Sequence, residues 1–408
     1  MTLVAVAPTP VATLRSPLTI RERCRNILDA VDAGRSAHFR IDRERLNAAA
    51  ARVEAVTRRR YPDLDIPYHS RWRHFEAGGV DRTAVLDRAL AGRDEGACAR
   101  ARIDLAVVSV LLDAGAGPSW RYVERETGMR FTRSEGLAVA SFRAFMRGAF
   151  SARRDDPLRA DAAALSRIDA PHLARILQVE ASNPIVALEG RAALLRRLGA
   201  ALVVREEVFD ELARPGGLFE TLIPDDENAI AAADLLLGLQ DGLSSIWASG
   251  NAVDGVPLGD AWRHRNAGGD DRTSGWVPFH KLSQWLAYSL FEPFERAGVA
   301  IVDRDHLTAL PEYRNGGLLL DTGVLQLIEP SVTSTTFEVG DELVVEWRAL
   351  TIALIDEIAS LVRARLEAPE LPLACILEGG TWAAGRELAQ ESRGGNPPLS
   401  IRSDGTVF

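Results

Sequence analysis

The chain has 408 residues, of which 47% are hydrophobic and 26% are charged, and this composition is typical of a folded globular protein. Its 48 basic and 57 acidic residues give a formal net charge of −9, which argues against nucleic acid and anionic membranes as partners. No window approaches about 18 uninterrupted apolar residues, so no membrane-spanning helix is expected.

Cysteine, histidine and glycine patterns argue against several kinds of site. Cys24, Cys98 and Cys375 are far apart and odd in number, which favours a reducing cytoplasm over a disulfide framework. The seven histidines form no His-Glu-x-x-His motif, so no metal is predicted. Nicotinamide, P-loop and Gly-x-Ser-x-Gly fingerprints are missing, and the sequence therefore predicts no cofactor and gives little support to a hydrolytic triad.

Apolar periodicity predicts helices along most of the chain, after a loose N-terminal tail at residues 1–16. The nearly apolar segment 102–113 ends at glycines and predicts a central buried helix. Other predicted helices lie within 18–60 and at 82–90, 134–149, 158–166, 169–178, 184–199 (beginning at Asn183-Pro184), 205–213 and 226–247. Strand-like alternation is limited to 299–302, 318–328, 335–346 and 373–377. We predict a mainly α fold with minor β, in which 17–408 form a single large helical enzyme body, with 330–408 as a candidate C-terminal lobe.

A proline-containing loop at about 61–82 concentrates aromatic and basic side chains. Arg71, Arg73 and His74 belong to it, and so many functional groups are unusual in a simple linker. The loop is therefore predicted to take part in function.

The segment 276–325 carries ionisable groups inside an aromatic and aliphatic stretch, and because buried charge is costly, such a stretch indicates a site. If residues 279–290 are helical, one face is apolar and the opposite face is polar. The polar stripe consists of His280, Lys281, Gln284 and Tyr288. The glycine-rich loop that precedes this helix contributes Asp260 and Trp276 as further candidates.

Glu312, Tyr313 and Arg314 follow about twenty-five residues later and precede Gly316-Gly317, where a flexible turn is predicted. A carboxylate here has a functional reading as a catalytic group. It also has a structural reading, in which Arg314 or Lys281 holds Glu312 in an ion pair.

Near the C-terminus, an apolar strand-like piece leads through Glu378-Gly379-Gly380-Thr381 into a helix. Thr381 is predicted as its N-cap, and the two glycines would let backbone N–H groups approach a ligand at the positive helix end. Arg386, about one turn further, would add a guanidinium suited to phosphate. The alternative is an ordinary capped helix. Arg402, Ser403 and Asp404 lie just before the chain ends and predict a terminus that is tied down.

Five motifs, spread from Arg71 to Phe408, resemble the fungal and bacterial uracil-catabolism family. They are SRWRHFEAGGVDR, VPFHKLSQWLAYSLFEP, LTALPEYRNGGLLLD, LEGGTWAAGRE and the terminal SDGTVF. This resemblance implies a pathway in which uracil becomes a ribonucleotide, the ring is opened and urea is released.

A second set of residues resembles queuosine-nucleotide salvage hydrolases, which are helical and similar in fold to DNA glycosylases. The matching positions are Phe279, Lys281, Gln284, Tyr313, Arg314, Gly323 and Leu325. Glu312 stands where that family has Asp, and Gly316-Gly317 replaces Pro-Gln, so the resemblance implies a different substrate.

Together the two resemblances imply hydrolysis of the C1′–N bond of ribosylurea or its 5′-phosphate, giving urea and a ribose species. Glu312 would stabilise the positively charged sugar or take a proton from water, and Asp260, His280 or Lys281 would assist the leaving nitrogen. The implied substrate-binding residues are Arg71, Arg73, His74, Trp276, His280, Gln284, Tyr288, Tyr313, Arg314, Glu378, Gly379, Gly380, Thr381, Trp382 and Arg386.

The expected partner is thus a small molecule, ribosylurea or phosphoribosylurea, and a homo-oligomer is compatible with the sequence. Two other functions stay open at this point. One is a non-catalytic partner of the ring-opening enzyme, and the other is a metal-independent amidohydrolase acting on a ring-opened pyrimidine intermediate.

Overall fold

Helices supply most of the regular structure in the computed structural model, which describes residues 8–223, 228–247 and 250–402. The helices in chain order are α1 (Pro10–Arg15), α2 (Pro17–Asp32), α3 (Leu46–Arg60), α4 (Arg71–Phe75), α5 (Arg82–Leu90), α6 (Glu95–Leu111), α7 (Arg133–Met146), α8 (Ala162–Leu165), α9 (Ala170–Leu177), α10 (Leu188–Val204), α11 (Glu206–Phe209), α12 (Leu218–Thr221), α13 (Ala232–Leu243), α14 (Lys281–Glu295), α15 (Tyr313–Asp321), α16 (Glu342–Leu366), α17 (Leu373–Ile376) and α18 (Trp382–Arg393). The prediction of a mainly α fold with minor β is confirmed, whereas its similarity to DNA glycosylases stays a prediction.

The strands are short, and those of the described residues pair two by two. They are β1 (Phe39–Ile41), β2 (Tyr122–Val123), β3 (Arg130–Phe131), β4 (Ala229–Ala231), β5 (Ala252–Val253), β6 (Val256–Pro257), β7 (Ala261–Arg263), β8 (Trp276–Pro278), β9 (Ala300–Val302), β10 (Leu325–Leu327), β11 (Thr336–Phe337) and β12 (Ser400–Ile401). Antiparallel pairs join β1 to β10, β2 to β3, β5 to β6 and β7 to β8, and parallel pairs join β4 to β9 and β11 to β12.

The chain packs as two compact units that alternate along the sequence. The described part of the first unit comprises residues 8–68, 250–281 and 304–402. The described part of the second comprises 69–223, 228–247 and 282–303. Residues 330–402 of the candidate C-terminal lobe thus belong to the same unit as the N-terminal helices.

α16 is the central helix of the first unit. Its sequence from Leu343 to Ile355 is apolar apart from Glu346, Arg348 and Thr351, and a helix that is hydrophobic on all sides is expected to be buried. It packs against α2 and α3 on the N-terminal side of the sequence and against α15. Glu367, in the left-handed conformation, ends it.

The N-terminal segment of the first unit is more ordered than the predicted tail. Thr9 caps α1 by accepting a hydrogen bond from the Ala12 N–H at 3.2 Å. Leu14 is fully buried and packs in a hydrophobic cluster with Trp276 and Ala261. Residues 1–7 of the predicted tail lie outside the described part of the chain.

α6 is the buried helix around which the second unit is built. Asp94 caps it, accepting from the Ala97 N–H at 2.7 Å, and α7, α10 and α12 pack against it. Ten of its last eleven residues, Ala101 and Ile103 to Leu111, are buried. The prediction of a central buried helix in this region is therefore correct.

Several predicted boundaries are wrong. The segment predicted as a strand at 373–377 is helical, as are 318–321 and 342–346 of two other predicted strands, because short apolar runs fit a buried helix as well as a strand. α10 begins at Leu188 and not at Asn183-Pro184. The Asn183 amide instead binds the carbonyls of Arg121 and Gln178, at 2.8 and 2.7 Å, and so holds a loop.

Among the residues that the structure describes, none of the helices combines the length and the apolar character needed to cross a lipid bilayer.

Candidate functional site

Asp260 lies buried just before β7, and both of its carboxylate oxygens accept hydrogen bonds. Arg348 of α16 donates through Nη1 to Oδ1 and through Nη2 to Oδ2, at 2.8 and 2.6 Å. The Trp262 indole N–H and the Lys281 backbone N–H donate at 2.8 and 3.0 Å. Burial alone would raise the pKa of Asp260, but the Arg348 charge lowers it to about 2. Asp260 is therefore ionised at neutral pH and does not serve as a proton donor there.

His280 occupies the turn between β8 and α14, with a left-handed φ of +47°. Its Nε2 lies 2.9 Å from the Leu14 carbonyl oxygen, and because a carbonyl only accepts, Nε2 carries the proton. Burial lowers the pKa of His280, which keeps the imidazole neutral at neutral pH.

α14 lacks the contrasting faces that the sequence predicted. It begins at Lys281, which is half-buried, so His280 lies outside the helix. Gln284 and Tyr288 are fully buried, and the Tyr288 ring packs edge-on against Phe291 with 5.5 Å between centroids. The predicted polar stripe is therefore an interior feature and not an exposed face.

Glu312 is the N-cap of α15. Its Oε2 accepts from the Arg314 N–H at 2.7 Å and its Oε1 from the Asn315 N–H at 2.6 Å. The positive end of the helix favours a carboxylate at this position. Backbone N–H groups thus hold both oxygens of the side chain, and the ion pair with Arg314 or Lys281 stays a prediction. Glu312 is half-buried, and its carboxylate orientation is fixed.

Arg314 is buried and lies at the C-terminal end of α18. Its Nη1 donates to the Gly395 carbonyl at 3.3 Å, just beyond the C-cap Gly394, and its guanidinium lies 4.6 Å from the Tyr313 ring centroid. A cation at a helix C-terminus is favoured by the helix dipole. This contact gives Arg314 a structural role in addition to any contact with substrate.

Gly316 and Gly317 are helical, and the flexible turn predicted for them is wrong. Both lie inside α15, and the Gly316 carbonyl accepts from the Trp347 indole N–H at 3.2 Å. A Cβ on Gly316 would lie 2.7 Å from the Trp347 ring. The glycine at 316 thus permits close packing of α15 against α16.

Residues Leu377–Thr381 form a π-helical turn between α17 and α18. The N-cap prediction for Thr381 is therefore wrong, because Thr381 has helical dihedral angles within a continuous helical run. Its hydroxyl donates to the Asn315 side-chain oxygen at 2.9 Å, next to the Glu312 cap. Single π-helical turns are rare and often occur at functional sites.

Gly379 and Gly380 allow α3 to pack closely against this turn. A Cβ on Gly380 would overlap Val53 and Thr57, and one on Gly379 would lie 3.1 Å from Ile66. The predicted backbone approach to a ligand at a helix N-terminus is wrong, because the glycines face protein and no helix begins there.

Three further predicted residues, Glu378, Arg386 and Trp276, contact arginine or aromatic side chains. Glu378 is buried and binds Arg60 of α3 through its carboxylate, with an Nη2–Oε1 distance of 2.9 Å. Arg386 is exposed, with its guanidinium 5.4 Å from the Trp382 ring centroid. Trp276 lies in the core, where the Arg263 guanidinium stacks 3.9 Å from the centroid of its ring.

A continuous set of contacts connects the Glu312 turn to the Lys281 turn within the first unit. Gly316, one turn after Glu312, binds Trp347, and the next residue of α16, Arg348, binds Asp260. Asp260 in turn accepts from the backbone of Lys281. α16 therefore ties together the two segments that carry most of the predicted site.

Arg71 belongs to the interior of the second unit. It is fully buried, with Nε 2.7 Å from the Ser109 hydroxyl and Nη1 3.0 Å from Asp113, and its guanidinium lies 5.5 Å from the Trp285 ring centroid. Desolvation lowers the pKa of Arg71. These contacts are those of a core ion pair.

Arg73 and His74 follow Arg71 in α4. Arg73 pairs with Glu292 at 2.6 Å and Glu76 at 2.8 Å, and lines a cavity of about 140 Å³. Since carboxylates already surround Arg73, this cavity is poorly suited to phosphate. Burial lowers the pKa of His74 to about 4, and the charge of Arg71 contributes to this shift.

Two charged residues of α16 were not predicted as part of a site. Arg348 binds Asp260, and Glu346 accepts hydrogen bonds from the Ser36 hydroxyl and from His264 Nε2, the latter at 3.1 Å. Both charged residues lie inside an apolar run. Charge within an apolar segment is also what indicated a site at 276–325, and the same criterion would have identified these two residues.

Two chain-end residues predicted to be tied down, Ser403 and Asp404, lie outside the described residues.

Within 8–223, 228–247 and 250–402, no three His, Cys, Asp or Glu side chains are grouped so as to hold a metal ion.

Comparison with known proteins gives a full-length match. The family described as protein of unknown function (DUF1688) matches residues 13–408. The chain is 38% identical to "Uracil catabolism protein 4" of Lachancea kluyveri over 435 aligned positions, which cover 98% of this chain and 99% of that protein. It is 37% identical to "Protein urg3" of Schizosaccharomyces pombe over 411 positions, with the same coverage of 98% and 99%.

Proposed function

The chain belongs to the DUF1688 family, and on that premise we propose that it acts in uracil catabolism, the role stated in the name of its Lachancea kluyveri relative. The proposed reaction is hydrolysis of the C1′–N glycosidic bond of ribosylurea or its 5′-phosphate. The oxygen of water bonds to C1′, the C1′–N bond breaks with its electron pair passing to nitrogen, and that nitrogen gains a proton. The products are urea and ribose or ribose 5-phosphate.

The observation that carries this proposal is the contact network between the Glu312 and Lys281 turns. Trp347 and Arg348 are consecutive in α16. Trp347 binds the Glu312 segment at the Gly316 carbonyl, and Arg348 binds Asp260, which accepts from the Lys281 N–H. The resemblance to nucleoside-type hydrolases involves the same two segments, so the network supports reading them as parts of one site. The assignment to an N-glycosidase rests on that resemblance and not on the fold.

Glu312 is the carboxylate of the proposed reaction. Cleavage of a glycosidic bond builds positive charge on the sugar, and a carboxylate of fixed orientation stabilises that charge without reorganising. Two backbone N–H groups fix both oxygens of Glu312, while the side chain remains half-exposed. This geometry suits electrostatic stabilisation of the sugar cation.

Lys281 is the best of the three candidates for assisting the leaving nitrogen. Asp260 has a pKa of about 2 and so has no proton to give at neutral pH. The Nε2–H of His280 is already donated to Leu14. Lys281 is half-buried at the first position of α14.

A non-catalytic partner of the ring-opening enzyme is the second candidate function. It is favoured by the structural use of predicted site groups, because both oxygens of Glu312 cap a helix and the 379–380 glycines serve packing. Under this reading, the protein binds a pathway component without turnover.

The decisive experiment incubates purified protein with ribosylurea, with and without the 5′-phosphate, and measures urea and free sugar. We expect Glu312→Gln to lower turnover by on the order of 10²- to 10⁴-fold. The matched control is Glu329→Gln, since Glu329 also caps a helical turn of the first unit, accepting from the Ser331 N–H at 3.3 Å. Equal losses of turnover in both variants would show that Glu312 acts only as a helix cap. A folded wild-type protein that turns over neither substrate contradicts the hydrolase proposal, and binding without turnover supports the partner role.

A further inference from the structure

Asp260 binds three consecutive backbone N–H groups at the beginning of α14. Its main-chain carbonyl accepts from Phe279 and His280 at 2.9 and 3.0 Å, and its Oδ2 accepts from Lys281 at 3.0 Å. Phe279 and His280 precede α14. Lys281 is its first residue, whose N–H has no partner within the helix, and the Asp260 side chain accepts it from 21 residues away.

The turn that Asp260 holds has an unusual backbone conformation. His280 immediately precedes α14 and adopts a left-handed φ of +47°, a conformation that is unfavourable for a non-glycine residue. Such a conformation persists only where the surroundings hold it. The two main-chain bonds to Asp260 and the imidazole bond to Leu14 are the contacts that hold it here.

Arg348 in turn determines where the Asp260 carboxylate lies. The guanidinium binds both carboxylate oxygens in a bidentate pair and lies 4.1 Å from the centroid of the Phe279 ring. It therefore contacts Asp260 and the first residue of the turn at once. A planar guanidinium that donates two hydrogen bonds fixes the orientation of the carboxylate as well as its distance, whereas a lysine ammonium fixes only the distance.

We infer that Arg348 is a positioning residue that holds the 279–281 turn, and with it the Lys281 side chain, through Asp260. This inference deepens the proposed hydrolase function and rests on it for the role of Lys281. The holding of the turn rests on the contacts alone. Arg348 reaches no substrate in this scheme and acts through Asp260.

The test compares Arg348→Met with a variant of a second buried arginine–aspartate pair, in which two guanidinium nitrogens bind a single carboxylate oxygen. Arg214 of the second unit binds Asp104 with Nε and Nη2 at 2.9 and 2.6 Å, and Asp104 is fully buried, so Arg214→Met is the matched control. Hydrogen exchange is measured by mass spectrometry on peptides covering 276–284, and kcat and KM are measured with ribosylurea and its 5′-phosphate.

We expect both variants to lose stability, but only Arg348→Met to speed exchange at 279–281, by tenfold or more. Only Arg348→Met should lower kcat by about 10- to 100-fold while KM is nearly unchanged, because a displaced group reduces the rate more than substrate binding. If Arg348→Met does not fold, Asp260→Asn/Arg348→Gln removes the pair without leaving a buried charge, and the same measurements apply.

Unchanged exchange at 279–281 overturns the inference, and so does faster exchange with an unchanged kcat. Equal losses of kcat in Arg348→Met and Arg214→Met show general destabilisation and also overturn it. A wild-type protein without turnover contradicts the proposed function, whereas the exchange comparison still decides whether Arg348 holds the turn.

Discussion

Alanine substitution of the two adjacent glycines in α15 should change stability in opposite directions. A Cβ on Gly316 would lie 2.7 Å from the Trp347 ring, well inside the ordinary carbon–carbon contact of about 3.5–4.0 Å. A Cβ on Gly317 would meet Pro398 at 3.6 Å, an ordinary contact. Both positions are helical, so the backbone preference for alanine applies equally to the two.

The magnitudes follow from these distances. Replacing a helical glycine by alanine stabilises by roughly 0.5–1 kcal/mol. Gly317→Ala should gain about this amount. Gly316→Ala gains the same but overpacks the interface, at a cost of about 1–3 kcal/mol. Trp347 cannot easily withdraw, because it is 2% exposed and its indole N–H binds the Gly316 carbonyl. Subtracting the gain from the cost gives a net loss of up to roughly 2.5 kcal/mol for Gly316→Ala, with about 1 kcal/mol as the central value.

Urea unfolding, followed by tryptophan fluorescence and circular dichroism, measures both free energies. Gly317→Ala serves as the control for helix propensity, since it differs by one position in the same helix. If Gly316→Ala stabilises the protein as much as Gly317→Ala does, the close approach of α15 to Trp347 does not require glycine, and the packing argument is refuted.

Other predictions concern ionisation and reactivity. The pKa of Asp260 is lowered from 3.8 to about 2, so its contribution to stability is complete above pH 3.8 and is lost as the pH falls toward 2. This contribution amounts to roughly 2 kcal/mol. Asp260→Asn should flatten the pH dependence of the unfolding free energy in that window. The pKa of His74 is lowered from 6.5 to about 4, so its imidazole should stay neutral at pH 5–6, and an NMR titration midpoint near 6.5 would contradict this. Burial raises the pKa of the Cys24 thiol, so iodoacetamide should label the half-buried Cys98 before Cys24 in the folded protein. Mass spectrometry of the labelled peptides measures this order, and the reverse order would contradict the burial argument.

The sequence predicted those elements whose signals are local. The second half of α6 was predicted because its apolar residues are continuous and end at glycines, whereas its beginning at Glu95 and its Asp94 cap were not predicted. The strand β9 was predicted because it alternates over a short run between turn residues. The helix assumed at 279–290 is present, but it begins at Lys281 because His280 adopts the left-handed conformation.

The failures lie where a distant part of the chain decides the local structure. Gly379 and Gly380 were read as a ligand loop, but Val53 and Thr57, more than 300 residues away, pack against them. The pairing of Asp260 with Arg348 spans 88 residues and leaves no local trace. Side-chain contacts of this kind depend on tertiary packing, which a period or a motif does not record.

The interleaving of the two units also constrains synthesis on the ribosome. β1 pairs with β10, so Phe39–Ile41 cannot form its strand pair until Leu325–Leu327 has been synthesised. In the same way, α2 and α3 cannot pack until α16 has been synthesised. Most of the second unit, by contrast, is one continuous stretch that emerges while the N-terminal helices still lack their partners. Domains generally fold as units during translation, and exposed apolar surface favours aggregation. Residues 8–60 are thus the part of the nascent chain that most needs protection, and a chain that ends before α16 lacks the helix against which α2 and α3 pack.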